Sequence, residues 1–198
     1  MRGAAALGAA ALGVAALLAP LTATAGTAGG TGATGATGDR GHHAAASVDA
    51  QVRVAQKATR GFMHTPAARR GGYALLKDAH QIACISMKGM GAMGVHYANG
   101  TLVDGRVQLR HPEALVYRFT GNGHLRLSAL EYLVTRQAWR ADHPTGRPEL
   151  FGHRFNLTPK GNRFGLPAYF SLHAWVWHPN PAGRFTMWNP TVHCPKGI

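Results

Sequence analysis

Leu115-Val-Tyr-Arg-Phe-Thr-Gly-Asn-Gly-His-Leu-Arg-Leu-Ser-Ala-Leu-Glu-Tyr-Leu133 decides the fold. Two extended runs flank Thr120-Gly-Asn-Gly123, a turn sequence whose glycines supply the backbone freedom a tight reversal needs. The stretch therefore reads as a β-hairpin, with Leu115 to Phe119 as its first strand and His124 to Thr135 as its longer second strand. Working outward, Met93 to Ala98 is a short extended run bounded by Gly91 and Asn99-Gly100. Ala168 to Trp177 is an aromatic strand that ends at His178-Pro-Asn-Pro181. Between the hairpin and this strand, Trp139 to Pro167 is rich in Gly, Pro, His and Arg and lacks periodicity, which predicts a long loop over one sheet face.

The chain before Cys84 has helical spacing instead. Ser47 is a cap for a helix starting at Val48, with Val48, Val52 and Ala55 on one face. Thr65-Pro66 offers a second start, Thr as cap and Pro at the first helical position, interrupted by Gly71-Gly72. The expected fold is α+β in a single domain over residues 48–198. About four antiparallel strands form the sheet, with one or two N-terminal helices packed on one face.

Residues 1–25 read as a secretory signal. Arg2 precedes an apolar run from Ala4 to Leu18, and Ala23-Thr24-Ala25 places small residues at −3 and −1 of a cleavage point. The alternative, a membrane anchor, is disfavoured because the run is shorter than the ~20 residues of a spanning helix and rich in Ala and Gly. No other segment is long or apolar enough to span. Gly26 to Ser47 is a low-complexity Gly/Thr/Ala tether, expected to be disordered because it lacks apolar surface to bury. His42-His43 within it read as solvated tail residues.

Composition sets further bounds. The 198 residues carry 21 Lys+Arg against 8 Asp+Glu, a formal charge of +13. Such a charge outside the cell implies weak binding to anionic envelope polymers. The bases are scattered and no recognised binding motif is present, so specific nucleic-acid recognition is not implied. With so few acids, the position of each one carries information. Cys84 and Cys194 are an even pair in a chain bound for an oxidising compartment, and a disulfide between them is the expected outcome. A metal-binding thiolate pair or free thiols are the alternatives.

Several motifs occur together: Ile82-Ala-Cys84, Gly89-Met-Gly-Ala-Met-Gly-Val-His-Tyr97, Pro112-Glu-Ala-Leu-Val-Tyr117, Leu130-Glu-Tyr132, Leu150-Phe-Gly152, Leu172-His-Ala-Trp-Val-Trp177, Asn180-Pro-Ala-Gly183 and Trp188-Asn-Pro190 through to Cys194. In combination they resemble a family of exported bacterial proteins of unassigned function. The resemblance spans roughly Val48 to Cys194. It implies a shared fold and secretion, and carries no activity. His193, next to Cys194, departs from the small polar residue that the resemblance leads one to expect.

Three residues carry chemistry. By strict alternation Glu131 shares a strand face with Leu125, Leu127, Ala129 and Leu133, where a carboxylate is costly unless paired, hydrogen-bonded, protonated or bound to metal. A salt bridge to one of the many Arg residues is the plainer account. His173 alternates with Tyr169, Ser171, Trp175 and Trp177, an aromatic and polar face suited to a ligand. The opposite face, Phe170, Leu172, Ala174 and Val176, is plain core. His96 sits between Gly94 and Ala98, whose small side chains leave room around the imidazole. Two His and one carboxylate are a ligand set for Zn or Fe with an open position. Met87, Met90 and Met93 precede His96 at intervals of three, a soft set suited to Cu, or else core filling beside a Gly-rich turn. Three functions follow: a secreted protein that binds a metal or small ligand; an extracellular enzyme using the metal, or Glu131 as general base beside a His; or a basic envelope-interaction protein without a specific pocket.

Overall fold

The hairpin closes where the turn sequence requires. Gly123 N–H donates to Thr120 O and Thr120 N–H to His124 O, each at 2.9 Å, and Gly123 takes the left-handed φ of 76°. The computed structural model describes residues 39–196, with side chains from Val48 onward. In chain order the elements are α1 (Asp39–Thr59), α2 (Thr65–Arg70), β1 (Ala74–Leu75), β2 (Cys84–Met87), β3 (Gly91–Ala98), β4 (Ala114–Phe119), β5 (Leu125–Thr135), α3 (Arg136–Asp142), β6 (Glu149–Leu150), β7 (His153–Arg154), β8 (Asn156–Thr158) and β9 (Tyr169–Ala174). The class is α+β with antiparallel pairing throughout.

The sheet is larger than the four strands expected. Seven strands run in the order β1-β3-β4-β5-β9-β8, with β2 also paired to β3. The additions are short edge strands of two to four residues, too brief for any alternation to show. The Trp139 to Pro167 region is also more ordered than a loop. It holds most of α3, the β6–β7 hairpin and β8. Thr135 caps α3 by accepting the Ala138 N–H.

Helix α1 begins at Asp39, so Ser47 lies inside it rather than capping it. Ala44-Ala-Ala46, strong helix formers, extend it backward. Likewise Thr65 is the first residue of α2 and His64 holds the cap position, without a side-chain bond. Residues 1–38, containing the expected leader and most of the tether, lie outside the described residues, as do the side chains of His42 and His43.

One sheet face carries the main core. Tyr97, Leu115, Tyr117, Leu130, Tyr132, Val134, Phe170 and Leu172 pack there with Val52 and Ala55 of α1 and Ala68 of α2. Three of the core's buried phenols donate to backbone carbonyls: Tyr73 to Pro112 O, Tyr117 to Phe62 O and Tyr132 to Leu109 O. Deep in this core region, Glu113 is 2% exposed. Its Oε2 accepts the Leu133 N–H at 2.8 Å, taking over from the main chain where the β4–β5 ladder ends at Ala114↔Glu131.

A β-bulge corrects the expected phase of β5. Val116 pairs with Ala129 but Tyr117 with Leu127, which leaves Ser128 as the extra residue. A bulge reverses the alternation beyond it. Leu127 therefore packs with Tyr117 in the main core, and Leu125 packs against that core. Ala129 instead joins Ala92, Val116, Trp175 and Val192 in a smaller cluster on the other face. Glu131 lies on the face of Ala129, not that of Leu125 and Leu127.

The second face is covered by the chain's C-terminal part. Ala92 and Asn189 exchange both backbone hydrogen bonds at 3.1 Å. Gly91 permits this approach: it has φ 89°, and a Cβ there would lie 2.1 Å from Asn189 O. Beside it, Cys84 and Cys194 form the expected disulfide, with Cα atoms 5.6 Å apart and a sequence separation of 110.

Candidate metal centre

Register alone puts the three candidate side chains on one face. Glu131 pairs directly with His173 across β5–β9, and with Ala114 across β4–β5. His96 pairs with Val116, two residues along β4 from Ala114. Directly opposed residues share a face, as do residues two apart. His96 and Glu131 stand two strands apart, about 10 Å in backbone terms. The intervening Ala114 is small enough for their side chains to meet above it.

They do meet. His96 Nε2 is 3.3 Å from His173 Nε2 and 3.5 Å from Glu131 Oε2. His173 Nδ1 is 3.7 Å from Glu131 Oε1. One ligand atom from each residue lies within 4.8 Å of the others. All three residues are buried, at 2%, 7% and 3% exposure for His96, Glu131 and His173.

Burial sets the protonation. It pushes both imidazoles down, each to about 4, so they are neutral near pH 7. It also pushes the Glu131 carboxyl up, against the opposing pull of His96 and a hydrogen bond with Ser171. Neutral imidazole is the form that binds a metal. His96 Nδ1 is buried without a hydrogen-bond partner, while the Gly94 backbone is close enough to the imidazole to favour its protonated form. With its proton on Nδ1, the imidazole keeps the Nε2 lone pair for the cluster, the tautomer a metal-ligating histidine needs.

The two separations around His96 Nε2 match those of a metal site, and the wider spacing of the whole set reaches no more than 4.8 Å. Bonds of about 2.0–2.1 Å in a tetrahedral zinc site hold adjacent ligand atoms about 3.3–3.4 Å apart. The 3.3 and 3.5 Å separations around His96 Nε2 are close to that edge length. His96, Glu131 and His173 together line one end of a cavity of about 220 Å³. Its walls include Met87, Met93, Phe164, Tyr169, Met187 and Trp188.

The other predicted site residues divide. Tyr169 lines the cavity, and burial with the nearby Glu131 pushes its phenol up to about 12. Trp175 and Trp177 do not line it. Strand β9 ends at Ala174, and beyond it the chain bends. Trp175 packs in the smaller cluster, its Nε1 donating to Thr186 O. Trp177 turns to the helical side and donates to Thr59 Oγ1. Met87 and Met93 are on the cavity wall, whereas Met90 is 49% exposed and stands apart. Met187, which the interval pattern omits, joins them from the C-terminal part.

Sequence reasoning also misses the clasp that holds the cavity roof. Asp78 is 2% exposed. Its Oδ1 accepts the His80 and Ile82 N–H groups at 2.8 and 2.9 Å. Its Oδ2 takes Arg163 Nη2 at 2.6 Å and Nε at 3.2 Å. The Arg163 bond, which outweighs burial, holds the Asp78 carboxyl below its ordinary value. Asn162 knits the same loop, donating to Pro159 O and Leu166 O, and Phe164 lies edge-on to His96. The scarcity of acids is the one signal that singles out Asp78; nothing distinguishes Arg163 among the other arginines.

Comparisons with protein-family models, curated proteins and solved structures find no match. No helix among the described residues is long and apolar enough to cross a membrane. The disulfide fits an oxidising, extracytoplasmic compartment.

Proposed function

We propose that this is an exported protein, akin to the bacterial family its motifs resemble, that holds one divalent transition metal through His96, Glu131 and His173. The metal would bind a small ligand from the medium. The observation that carries this reading is the convergence of three buried donor atoms from three strands within 4.8 Å. Two neutral imidazoles do not neutralise a buried carboxylate, and a divalent cation does. The set of two His and one carboxylate suits Zn²⁺ or Fe²⁺. Bound there, the ion would supply a Lewis-acidic position open to the cavity. The thioethers of Met87, Met93 and Met187 keep Cu within the range of ions to be tested.

A second reading rests on the raised Glu131 carboxyl beside two neutral imidazoles. That is an acid–base set able to move a proton without a metal. Elemental analysis of protein secreted and purified without chelator separates the two. The expected result is about one equivalent of metal per chain, lost in Glu131→Gln and His173→Ala. Folded protein that neither copurifies with Zn, Fe or Cu nor binds any of them on titration overturns the metal reading and leaves the acid–base one.

A further inference from the structure

Arg163 is the one guanidinium on the cavity wall, and it is held from behind. Nε and Nη2 are bound to the buried Asp78, and its own carbonyl accepts the Ala79 N–H at 2.9 Å. Nη1 makes no hydrogen bond among the described residues. The Arg163 side chain keeps 39% of its surface exposed. A fixed arginine with a spare donor edge is the group proteins use to grip an oxyanion. Its orientation is set before the ligand arrives, so little side-chain entropy is lost on binding.

Charge counting then specifies the ligand. A divalent metal, the Glu131 carboxylate, neutral His96 and His173, and the Arg163–Asp78 pair together leave one net positive charge. One monoanion neutralises it. Size restricts it further: about 220 Å³ is below the range of roughly 300–1,000 Å³ typical for drug-sized ligands. It equals the liquid volume of about seven waters. Phe164 and the methionine side chains give the remaining wall an apolar character that suits a short hydrocarbon.

We propose that the cavity binds a small monocarboxylate, one oxygen on the metal and the other on Arg163. This rests on the metal reading above. The test uses the disulfide-bonded chain loaded with Co²⁺, whose visible absorption reports its coordination. Acetate is the probe, acetamide its neutral counterpart and inorganic phosphate the alternative anion. Acetate is expected to change the spectrum saturably, acetamide at least tenfold more weakly. Arg163→Lys keeps a cation for Asp78 but loses the forked donor edge. It is expected to weaken acetate at least tenfold while Co²⁺ affinity stays within twofold.

Equal response to acetate and acetamide overturns the proposal, as does acetate binding unchanged in Arg163→Lys. Tighter binding of phosphate than of acetate overturns the carboxylate assignment. The acetate–acetamide contrast in the unsubstituted chain stands even if the variant does not fold. Failure of Co²⁺ itself to bind sinks the metal reading and this one together. Co²⁺ binding without acetate discrimination sinks this one alone.

Discussion

Glu113 and Glu131 are two of the three glutamates in the chain, and both are buried, yet they do different work. Glu131 faces other ligand-type groups. Glu113 replaces a main-chain acceptor at the end of a ladder. Burial pushes the Glu113 carboxyl up to about 8. A carboxyl raised on folding stabilises fully below its unfolded value, and that contribution is lost as pH rises through the folded value. The unfolded chain releases this proton near pH 4.5 and the native chain near 8. Stability from Glu113 therefore falls across that window by about 1.4 kcal/mol per pH unit. Gln at this position keeps the acceptor for Leu133 N–H and removes the titration. The stability of Glu113→Gln relative to the parent chain should rise steadily from pH 6.5 to 8, the histidine titrations being common to both proteins. Denaturant unfolding at each pH measures it; a constant difference would sink the assignment.

As at Gly94, the residue's identity is forced at Gly91. Any side chain there meets both a left-handed φ and the Asn189 carbonyl. Gly91→Ala should cost about 3 kcal/mol or more and should loosen the C-terminal cover before it disturbs the hairpin. Hydrogen exchange at Ala92 and Asn189, compared with that at Leu127 to Val134, reports the order. Equal loss of protection at both places would contradict it.

At the scale of elements, the four central strands and the hairpin were legible because each is long enough to show turn residues, aromatics or alternation. The edge strands were not, since two to four residues carry no period. The Glu131 case is more instructive. Strict alternation along Leu125 to Leu133 led to a buried carboxylate, and it is buried, but two of the apolar neighbours invoked belong to the opposite face. The bulge at Ser128 that separates them has no sequence mark, because it is fixed by pairing with β4. The same limit applies to Trp177. Where β9 ends depends on what packs beyond Ala174, and alternation continued past a strand end misplaces every residue after it. The roof was invisible for a related reason. Asp78 and Arg163 lie 85 residues apart, and only the folded sheet makes them neighbours.

The disulfide belongs to this scale too. It fixes the segment carrying Met187 and Trp188 against β2. Closing a loop of 110 residues removes unfolded-state entropy worth up to about 4–5 kcal/mol. The Cys84→Ser/Cys194→Ser double variant should lose a comparable amount in denaturant unfolding. In the folded variant, Trp188 should become more accessible to a fluorescence quencher. Unaltered stability would show that the non-covalent contacts around Asn189 hold the segment unaided.

For the molecule as a whole, charge dominates. Removal of Arg2 with the expected leader would leave +12 on the remaining chain. Arg140, Arg147 and Arg154 line one surface groove together with Glu149, so part of the excess is gathered rather than spread. Adhesion to teichoic-acid-like polymers should be weak and should fall steeply with added salt, because surface Coulomb attraction is screened over about 8–10 Å. Replacing the three arginines with Gln should weaken retention further at low salt. Retention that ignores both salt and these substitutions would point to a pocket rather than to charge.

The strap across the second sheet face also imposes an order of events. His96 and Glu131 leave the ribosome well before Met187 and Trp188, and the enclosure around them is incomplete until Cys194 has found Cys84. Closure of the wall that carries Met187 and Trp188 is therefore tied to thiol oxidation between Cys84 and Cys194. The part of the chain made last encloses residues made first.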